Sequence, residues 1–243
     1  IIEDNPDVVT YLKSCLSNLY QLDVAYNGKI GIEKAIEHIP DLIISDVMMP
    51  EKDGYEVCDI LKNDERTSHI PIVLLTAKAD AASKIIGLKR GADAYLAKPF
   101  DKEELLIRLE NLASLRKKLQ ARFATLPSTV DRQPSTEFEL EDAFIQKVRN
   151  IIAEHYQEDS FSLLFLCRKI GMSRSQLFRK MKALIDMPPS EFIKNYRLNE
   201  AKKLLETTDL NVSEVAWKVG FKDLSHFSKS FYDYFGKLPS EIE

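Results

Sequence analysis

Along the first hundred residues, short apolar runs alternate with stretches in which apolar residues recur every three or four positions. The short runs, Ile1–Ile2, Leu22–Tyr26, Leu42–Ser45, Ile72–Leu75 and Ala94–Ala97, predict strands. Between them Val8, Leu12, Cys15, Leu16 and Leu19 keep helical spacing, as do Ile32, Ala35, Ile36 and Ile39. Such alternation predicts βα units and a parallel sheet. Leu42-Ile43-Ile44 and Ile72-Val73-Leu74-Leu75 are unbroken, as expected of central strands covered by helices on both faces. Five such units predict a small α/β domain with a five-stranded, doubly wound parallel sheet. The chain enters it partway through its first strand, a start that suggests a fragment of a longer polypeptide or lost leading residues.

From Asp101 to about Phe123 a long helix is expected, with Leu105, Leu109, Leu112, Leu115 and Leu119 near one stripe. Its first part should pack on the sheet. Its later part, with Arg116, Lys117 and Lys118, is open between pairing with another copy and standing as a partly exposed terminal helix. Pro127, Pro134 and several Ser and Thr then mark a linker. The expected division is a first domain over 1–123, a linker over 124–139 and a nearly all-helical domain over 140–243. That last domain carries a two-fold repeat. Gly171-Met172 corresponds to Gly220-Phe221, Cys167 to Ala216, Leu177 and Met181 to Phe227 and Phe231, and Pro189-Ser190-Glu191 to Pro239-Ser240-Glu241. The pattern is helix, glycine-containing turn, helix, given twice.

The composition, 44 % hydrophobic and 30 % charged, is that of a soluble globular protein. No apolar run approaches the roughly 18 residues of a membrane span, and the opening residues do not show the basic-then-apolar pattern expected of a secretory leader. Cys15, Cys58 and Cys167 are far apart, odd in number and read as packing or surface residues of a reduced cytosol. The net charge of −4 is uneven: residues 1–139 hold 18 Lys and Arg against 23 Asp and Glu, residues 140–243 hold 16 against 15. Within the second part, Arg168, Lys169, Arg174, Arg179, Lys180 and Lys182 have no acid among them. Taken alone this stretch is as well explained by a solvated helix face as by a nucleic-acid surface.

In open parallel sheets, functional groups gather beyond the carboxyl ends of the strands. Here the first strand ends in Glu3-Asp4, the third in Asp46, the fourth in Thr76 and the fifth in Lys98-Pro99. Three converging carboxylates repel one another, and a hard divalent cation such as Mg²⁺ relieves this while leaving positions open for a phosphate. Lys98 is placed to meet a phosphoryl oxygen, and the Thr76 hydroxyl to donate to another.

Glu3-Asp4, Asp46, Met49-Pro50 with Asp53-Gly54, Thr76-Ala77, Tyr95 and Lys98-Pro99 match response-regulator receivers in order and spacing, and the first ~120 residues resemble that flavodoxin-like family throughout. The resemblance implies that Asp46 is the phosphoacceptor, attacking a phosphohistidine on a histidine kinase. It implies that Asp4 and Asp46 bind Mg²⁺ directly, Glu3 through water, and that the Met48 carbonyl completes the protein ligands. Further implications are a cis Lys98–Pro99 bond, movement of Thr76 toward the phosphoryl group, an inward turn of Tyr95, and a remodelled face around the fifth strand that promotes homodimers. Met48 and Lys78 stand where the family tunes acyl-phosphate lifetime.

Residues ~140–243 resemble the AraC/XylS-type DNA-binding domain. The resemblance rests on Gly171-Met172-Ser173-Arg174-Ser175, Leu177, Arg179, Pro189-Ser190-Glu191-Phe192, Arg197-Leu198, Ala201, Leu204-Leu205, Val215-Ala216, Val219-Gly220-Phe221, Phe227, Phe231 and Phe235-Gly236. It implies two helix-turn-helix units on a connecting helix, about Pro189–Thr207, whose recognition helices, Ser173–Ala183 and Asp223–Tyr234, enter successive major-groove segments of double-stranded DNA. Arg174, Ser175, Gln176, Phe178 and Arg179 are the base-edge candidates on the first. Leu224, Ser225, His226, Ser228 and Lys229 hold the corresponding surface on the second. Lys180, Lys182 and Lys222 are expected at phosphates. The apolar pair Leu164-Phe165 departs from the usual polar pattern, and so does Asp186, near which a glycine is usual; the pair is open between a contact surface and extra core. Leu224 departs too, which predicts weak discrimination by the second helix.

The resulting expectation is a non-enzymatic, phosphorylation-controlled transcription regulator. It would be cytoplasmic or the cytoplasmic end of a membrane-bound hybrid sensor, with no membrane contact of its own. An alternative keeps the receiver only as a phosphorylation-independent dimerisation module. A Mg²⁺-dependent phosphohydrolase is disfavoured because Met48, not an acid, stands two residues after Asp46.

Overall fold

The computed structural model describes residues 1–77, 91–124, 139–158 and 160–242. The chain divides into two compact units, the first Ile1–Arg122 with Ala183–Ile185 and the second Phe123–Lys182 with Asp186–Glu243.

The first unit is a parallel sheet between helices. Its regular strands are β1 (Ile43–Asp46), β2 (Ile72–Thr76) and β3 (Ala94–Ala97), hydrogen-bonded in that order. Two of the five expected strands are reduced to bridges: Ile2 pairs with Ala25 on one side and Ser45 on the other. At these bridges Ile2 N–H donates to Ile44 O, Glu3 N–H to Ala25 O, Ala25 N–H to Ile1 O and Asp46 N–H to Ile2 O. These bonds still carry the sheet outward from β1, with the Ile2 segment beside it and the Ala25 segment beyond.

Alternation along β1 and β2 sends side chains to opposite faces. Ile43, Ile72 and Leu74 join Val57, Cys58 and Leu61, beneath helices α2 (Gly28–His38) and α3 (Gly54–Asn63). Ile44, Val73, Leu75 and Leu96 join Leu12, Cys15, Leu16, Leu105, Leu109 and Leu112, beneath α1 (Pro6–Leu16) and α4 (Lys102–Ala124). Both faces are therefore covered, which is why these strands read as uninterrupted apolar runs. Asn5 caps α1, accepting from the Asp7 and Val8 N–H groups with Pro6 in the first turn. That helix stops at Leu16, so Leu19, placed on its stripe by spacing, lies past its end and is exposed. The expected packing of the early part of the long helix holds at Leu105, Leu109 and Leu112. The side chains of Leu115, Arg116, Lys118 and Leu119 lie outside the described residues, as do Lys78 and the linker stretch 125–138.

The second unit is helical: α5 (Glu139–His155), α6 (Leu163–Ile170), α7 (Arg174–Ile185), α8 (Pro189–Thr207), α9 (Val212–Lys218), α10 (Leu224–Phe235) and a 3₁₀ turn at Pro239–Glu241. The repeat seen in sequence recurs in hydrogen bonds. Met172 N–H donates to Cys167 O as Phe221 N–H donates to Ala216 O, closing each turn over a glycine at positive φ. Ser173 and Asp223 then cap α7 and α10, each accepting from the N–H three residues on. Both of these helices are 12 residues long. Asp186 and Gly236 end them in the same left-handed conformation, so Asp186 adopts the backbone that glycine usually supplies. Leu198, Ala201, Val215, Ala216, Val219, Phe221, Phe227 and Phe231 form the core of the second helical pair. All three cysteines are buried and free, and no described helix is long and apolar enough to cross a membrane.

Candidate functional site

The carboxyl end of the sheet brings together residues distant in sequence. Glu3, Asp4 and Asp46 each offer an oxygen, and these lie within 4.8 Å of one another. Glu3 and Asp46 are buried, Asp4 exposed. The Lys98 ammonium reaches in from the end of β3, donating to Glu3 Oε2 at 2.7 Å and standing 3.0 Å from Asp46 Oδ1. Asn5 N–H holds Glu3 Oε1 at 3.2 Å, and Val47 N–H holds Asp46 Oδ1 at 2.9 Å. Asp46 Oδ2 is left with no hydrogen-bond partner among the described residues. Burial pushes the Glu3 carboxyl up, the Lys98 bond pulling against it. Burial draws the Lys98 ammonium down, but its hydrogen bonds to Glu3 and Asp46 outweigh this and the net shift is upward.

Thr76 is buried at the end of β2, in register with Ala97, and its carbonyl accepts from Lys98 N–H at 2.7 Å. The Lys98–Pro99 bond is cis. Met48, whose carbonyl was the expected fourth ligand, follows Asp46 with its side chain exposed. The Asp53-Gly54 pair, matched as motif without a role, locks this loop. Asp53 and Glu56 form a reciprocal cap at the start of α3, and Gly54 N–H donates to Val47 O. A Cβ at Gly54 would come within 2.2 Å of Asp46 O, so the backbone carrying Asp46 can pass only a glycine there. Sequence reasoning missed the Val47 N–H and the Asn5 N–H. Both are backbone donors, which residue type does not reveal.

Tyr95 packs its ring against the α2–α3 face of the core. Its hydroxyl is buried with no hydrogen-bond partner among the described residues, and burial pushes the phenol well above its ordinary range. A buried unpaired hydroxyl costs stability, so Tyr95→Phe should stabilise the first unit by ~1 kcal/mol. A urea titration checks this; a lowered midpoint would mean that the hydroxyl has a partner in solution.

In the second unit, Arg174, Ser175, Phe178, Arg179 and Lys182 on α7 are exposed, while Leu177 and Met181 are buried. Arg174, Ser175, Phe178 and Arg179 line a shallow groove of about 380 Å³ with Leu163, Pro189 and Ser190. Gln176 is half-buried and its Oε1 accepts from Ser173 N–H in the helix cap. Lys182 bonds the Asp186 carboxylate at 2.8 Å. Lys222, Leu224, Ser225, His226 and Lys229 are exposed around the start of α10, and Ser228 is half-buried. Lys180 corrects the expectation of a phosphate contact: it is fully buried, its ammonium 4.7 Å from the centre of the Phe144 ring. Phe144, on α5, fills the space that spacing alone left to solvent. Of the apolar pair, Phe165 packs on Phe161 and His155, whereas Leu164 is exposed.

Comparison with known proteins agrees with this division. The response regulator receiver domain matches residues 1–110 and a helix-turn-helix domain matches 166–243. "Histidine kinase P4" of Formosa agariphila is 37 % identical over 243 residues, all of this chain and 18 % of that protein. "Hybrid signal transduction histidine kinase D" of Dictyostelium discoideum is 42 % identical over 120 residues, 49 % of this chain and 8 % of its own. "Response regulator ArlR" of Staphylococcus saprophyticus is 37 % identical over 155 residues, 58 % of this chain and 68 % of its own length. The chain thus spans under a fifth of the first two proteins and about two thirds of the third. With an acidic pocket at the carboxyl end of its sheet in the first unit and a repeated helix-turn-helix in the second, the chain belongs to the response regulators, as a receiver joined to an AraC-type helix-turn-helix domain.

Proposed function

We propose that this chain is the output end of a two-component system: a transcription regulator whose DNA binding is controlled by phosphorylation of Asp46. The observation that carries this reading is the Glu3–Asp4–Asp46 cluster, neutralised only in part by Lys98, in one chain with two helix-turn-helix units. Asp46 Oδ2 attacks the phosphorus of a phosphohistidine on a histidine kinase. The P–N bond breaks, the imidazole leaves with the electron pair, and an acyl phosphate forms. Val47 N–H and Lys98 orient the carboxylate through Oδ1.

The donor set suits Mg²⁺: three carboxylates supply hard oxygen ligands and more negative charge than one ammonium balances. Asp4 and Asp46 would bind it directly, Glu3 through water, and Met48 through its carbonyl. Bound there, the ion supplies charge neutralisation at the transferring phosphoryl oxygens. Lys98, released from part of its pairing, meets a phosphoryl oxygen, and Thr76 donates to another. Thr76 and Tyr95 form the switch, and the phosphorylated chain pairs with a second copy.

On the DNA side, Arg174, Ser175, Gln176, Phe178 and Arg179 read base edges from α7, and Leu224, Ser225, His226, Ser228 and Lys229 face DNA from α10. The Gln176 oxygen also accepts from Ser173 N–H in the helix cap. Lys182 and Lys222 meet phosphates. Arg179→Ala is expected to cost about 1–3 kcal/mol of operator binding and to relax base choice at one position. Lys222→Ala is expected to weaken all sequences alike and to reduce the salt slope by about one. Titrations on matched and mismatched duplexes at several salt concentrations separate the two. If Lys222→Ala altered base preference, its assignment to phosphate would be wrong.

The whole reading is tested by incubating the chain with Mg²⁺ and acetyl phosphate, weighing it intact, and passing it over random-sequence duplex DNA. Covalent gain of one phosphoryl group together with retention on DNA is expected. A folded chain that does neither is not a response regulator in function.

A further inference from the structure

Arg197 lies in the middle of α8, and three other parts of the second unit converge on its side chain. Its Nε–H donates to Tyr156 O, just past the end of α5, at 3.1 Å. Its guanidinium carbon stands 5.8 Å from the centre of the Phe161 ring, immediately before the first helix-turn-helix. The turn of the second helix-turn-helix passes against it so closely that a Cβ at Gly220 would lie 2.7 Å from Arg197 Nη2 and 2.6 Å from Tyr156 O. Gly220 also holds a φ of +85°, so both backbone conformation and space exclude a side chain.

A guanidinium withdrawn from water is costly unless its donors are satisfied. Arg197 is half-buried and forms no ion pair with any described carboxylate, and desolvation alone draws its pKa down. A hydrophobic residue would fill this volume at less cost if packing were all that was required. What the planar fork adds is direction: it hydrogen-bonds along one edge while presenting a flat face to the ring and another edge to the glycine backbone.

We propose that Arg197 is a positioning residue that sets the separation and angle between the two reading helices, and so the spacing between the two DNA half-motifs that the chain accepts. The inference rests on the DNA-reading function proposed above. Arg197 is anchored to the end of α5 and the entrance of the first helix-turn-helix on one side, and to the turn of the second on the other. Its loss frees the second helix-turn-helix to pivot against the first without removing any base-contacting side chain. One added base pair shifts a half-site by about a tenth of a helical turn, so a pivot of that size registers as altered spacing.

The test is selection from a random-sequence duplex library by the full chain, by Arg197→Lys and by Arg197→Met, in the presence of Mg²⁺ and acetyl phosphate, with melting curves to confirm folding. The wild-type chain is expected to enrich two half-motifs at one spacing and to prefer it by about tenfold or more over one base pair more or less. The variants are expected to enrich the same half-motifs at scattered or shifted spacings, with the preference reduced to about threefold or less. Phe161→Leu, which removes the ring beneath the guanidinium but keeps its donors, should shift spacing in the same sense and substitutes for a variant that fails to fold. Lower yield of the same motif at the same single spacing in every variant would overturn the proposal, leaving Arg197 a packing residue. A wild-type chain that enriches one half-motif only also overturns it. Enrichment of no motif at all refutes the DNA-reading function itself and is recognised as such before any variant is examined.

Discussion

Asp46→Asn is expected to abolish uptake of a phosphoryl group from acetyl phosphate while leaving the fold intact. The amide keeps the shape of the carboxylate, and its Oδ1 can still accept from Val47 N–H. What disappears is the nucleophile, because an amide oxygen has neither the charge nor the basicity to attack phosphorus and displace acetate from acetyl phosphate. One negative charge also leaves a cluster in which three carboxylates face one ammonium, which weakens attraction for a divalent cation. The variant should therefore show unchanged intact mass after treatment, and its oligomeric state and DNA retention should no longer respond to the phosphoryl donor. If it still gained one phosphoryl group, another carboxylate, Glu3 or Asp4, would be the acceptor and the assignment of Asp46 would fail.

Phe231→Ala should unfold much of the second helix-turn-helix. Phe231 is fully buried between Phe227 and Phe235, with ring centroids at 5.6 Å and 4.6 Å, and packs with Leu198, Ala201, Val215 and Phe221. Truncating such an aromatic costs about 3–5 kcal/mol, lost transfer energy plus an unfilled cavity. A domain of this size has only about 5–15 kcal/mol in total. DNA retention should therefore fall sharply. The described residues of the hydrophobic cluster around Phe231 all belong to the second unit, so phosphoryl uptake at Asp46 should persist in the same sample. Amide exchange read in both units checks this directly. Undiminished protection of α10 would mean that the ring is not the keystone described.

Much of this arrangement was legible before any coordinates, for identifiable reasons. The runs at Ile43–Ile44 and Ile72–Leu75 are buried on both faces, so their residue types alone betray them. The pocket residues sit at strand ends, where chain order already implies proximity. The repeat was legible because Gly171 and Gly220 both stand at positive φ in their turns, with Met172 and Phe221 donating to matching carbonyls. What failed has equally local causes. Leu19 continued a helical period that the backbone abandons after Leu16. Lys180 read as a surface cation because its charge is visible in sequence and the Phe144 ring over which it is buried is 36 residues away. Gln176 looked like a pure reading residue, but its oxygen is spent on the helix cap. Arg197 read only as part of a family motif. Its contacts with Tyr156, Phe161 and Gly220 are tertiary and leave no periodic trace.

The most direct measurement compares the DNA affinity of the same preparation before and after acetyl phosphate treatment, with the phosphorylated fraction counted by intact mass. An operator obtained by selection serves as ligand. If Asp46 controls the output, affinity should rise with phosphoryl content by roughly 5–150-fold, the range of typical coupling energies, with a matching shift toward dimers. Full phosphorylation with unchanged affinity and unchanged oligomeric state would contradict it, leaving the receiver a passive companion to the DNA-binding unit.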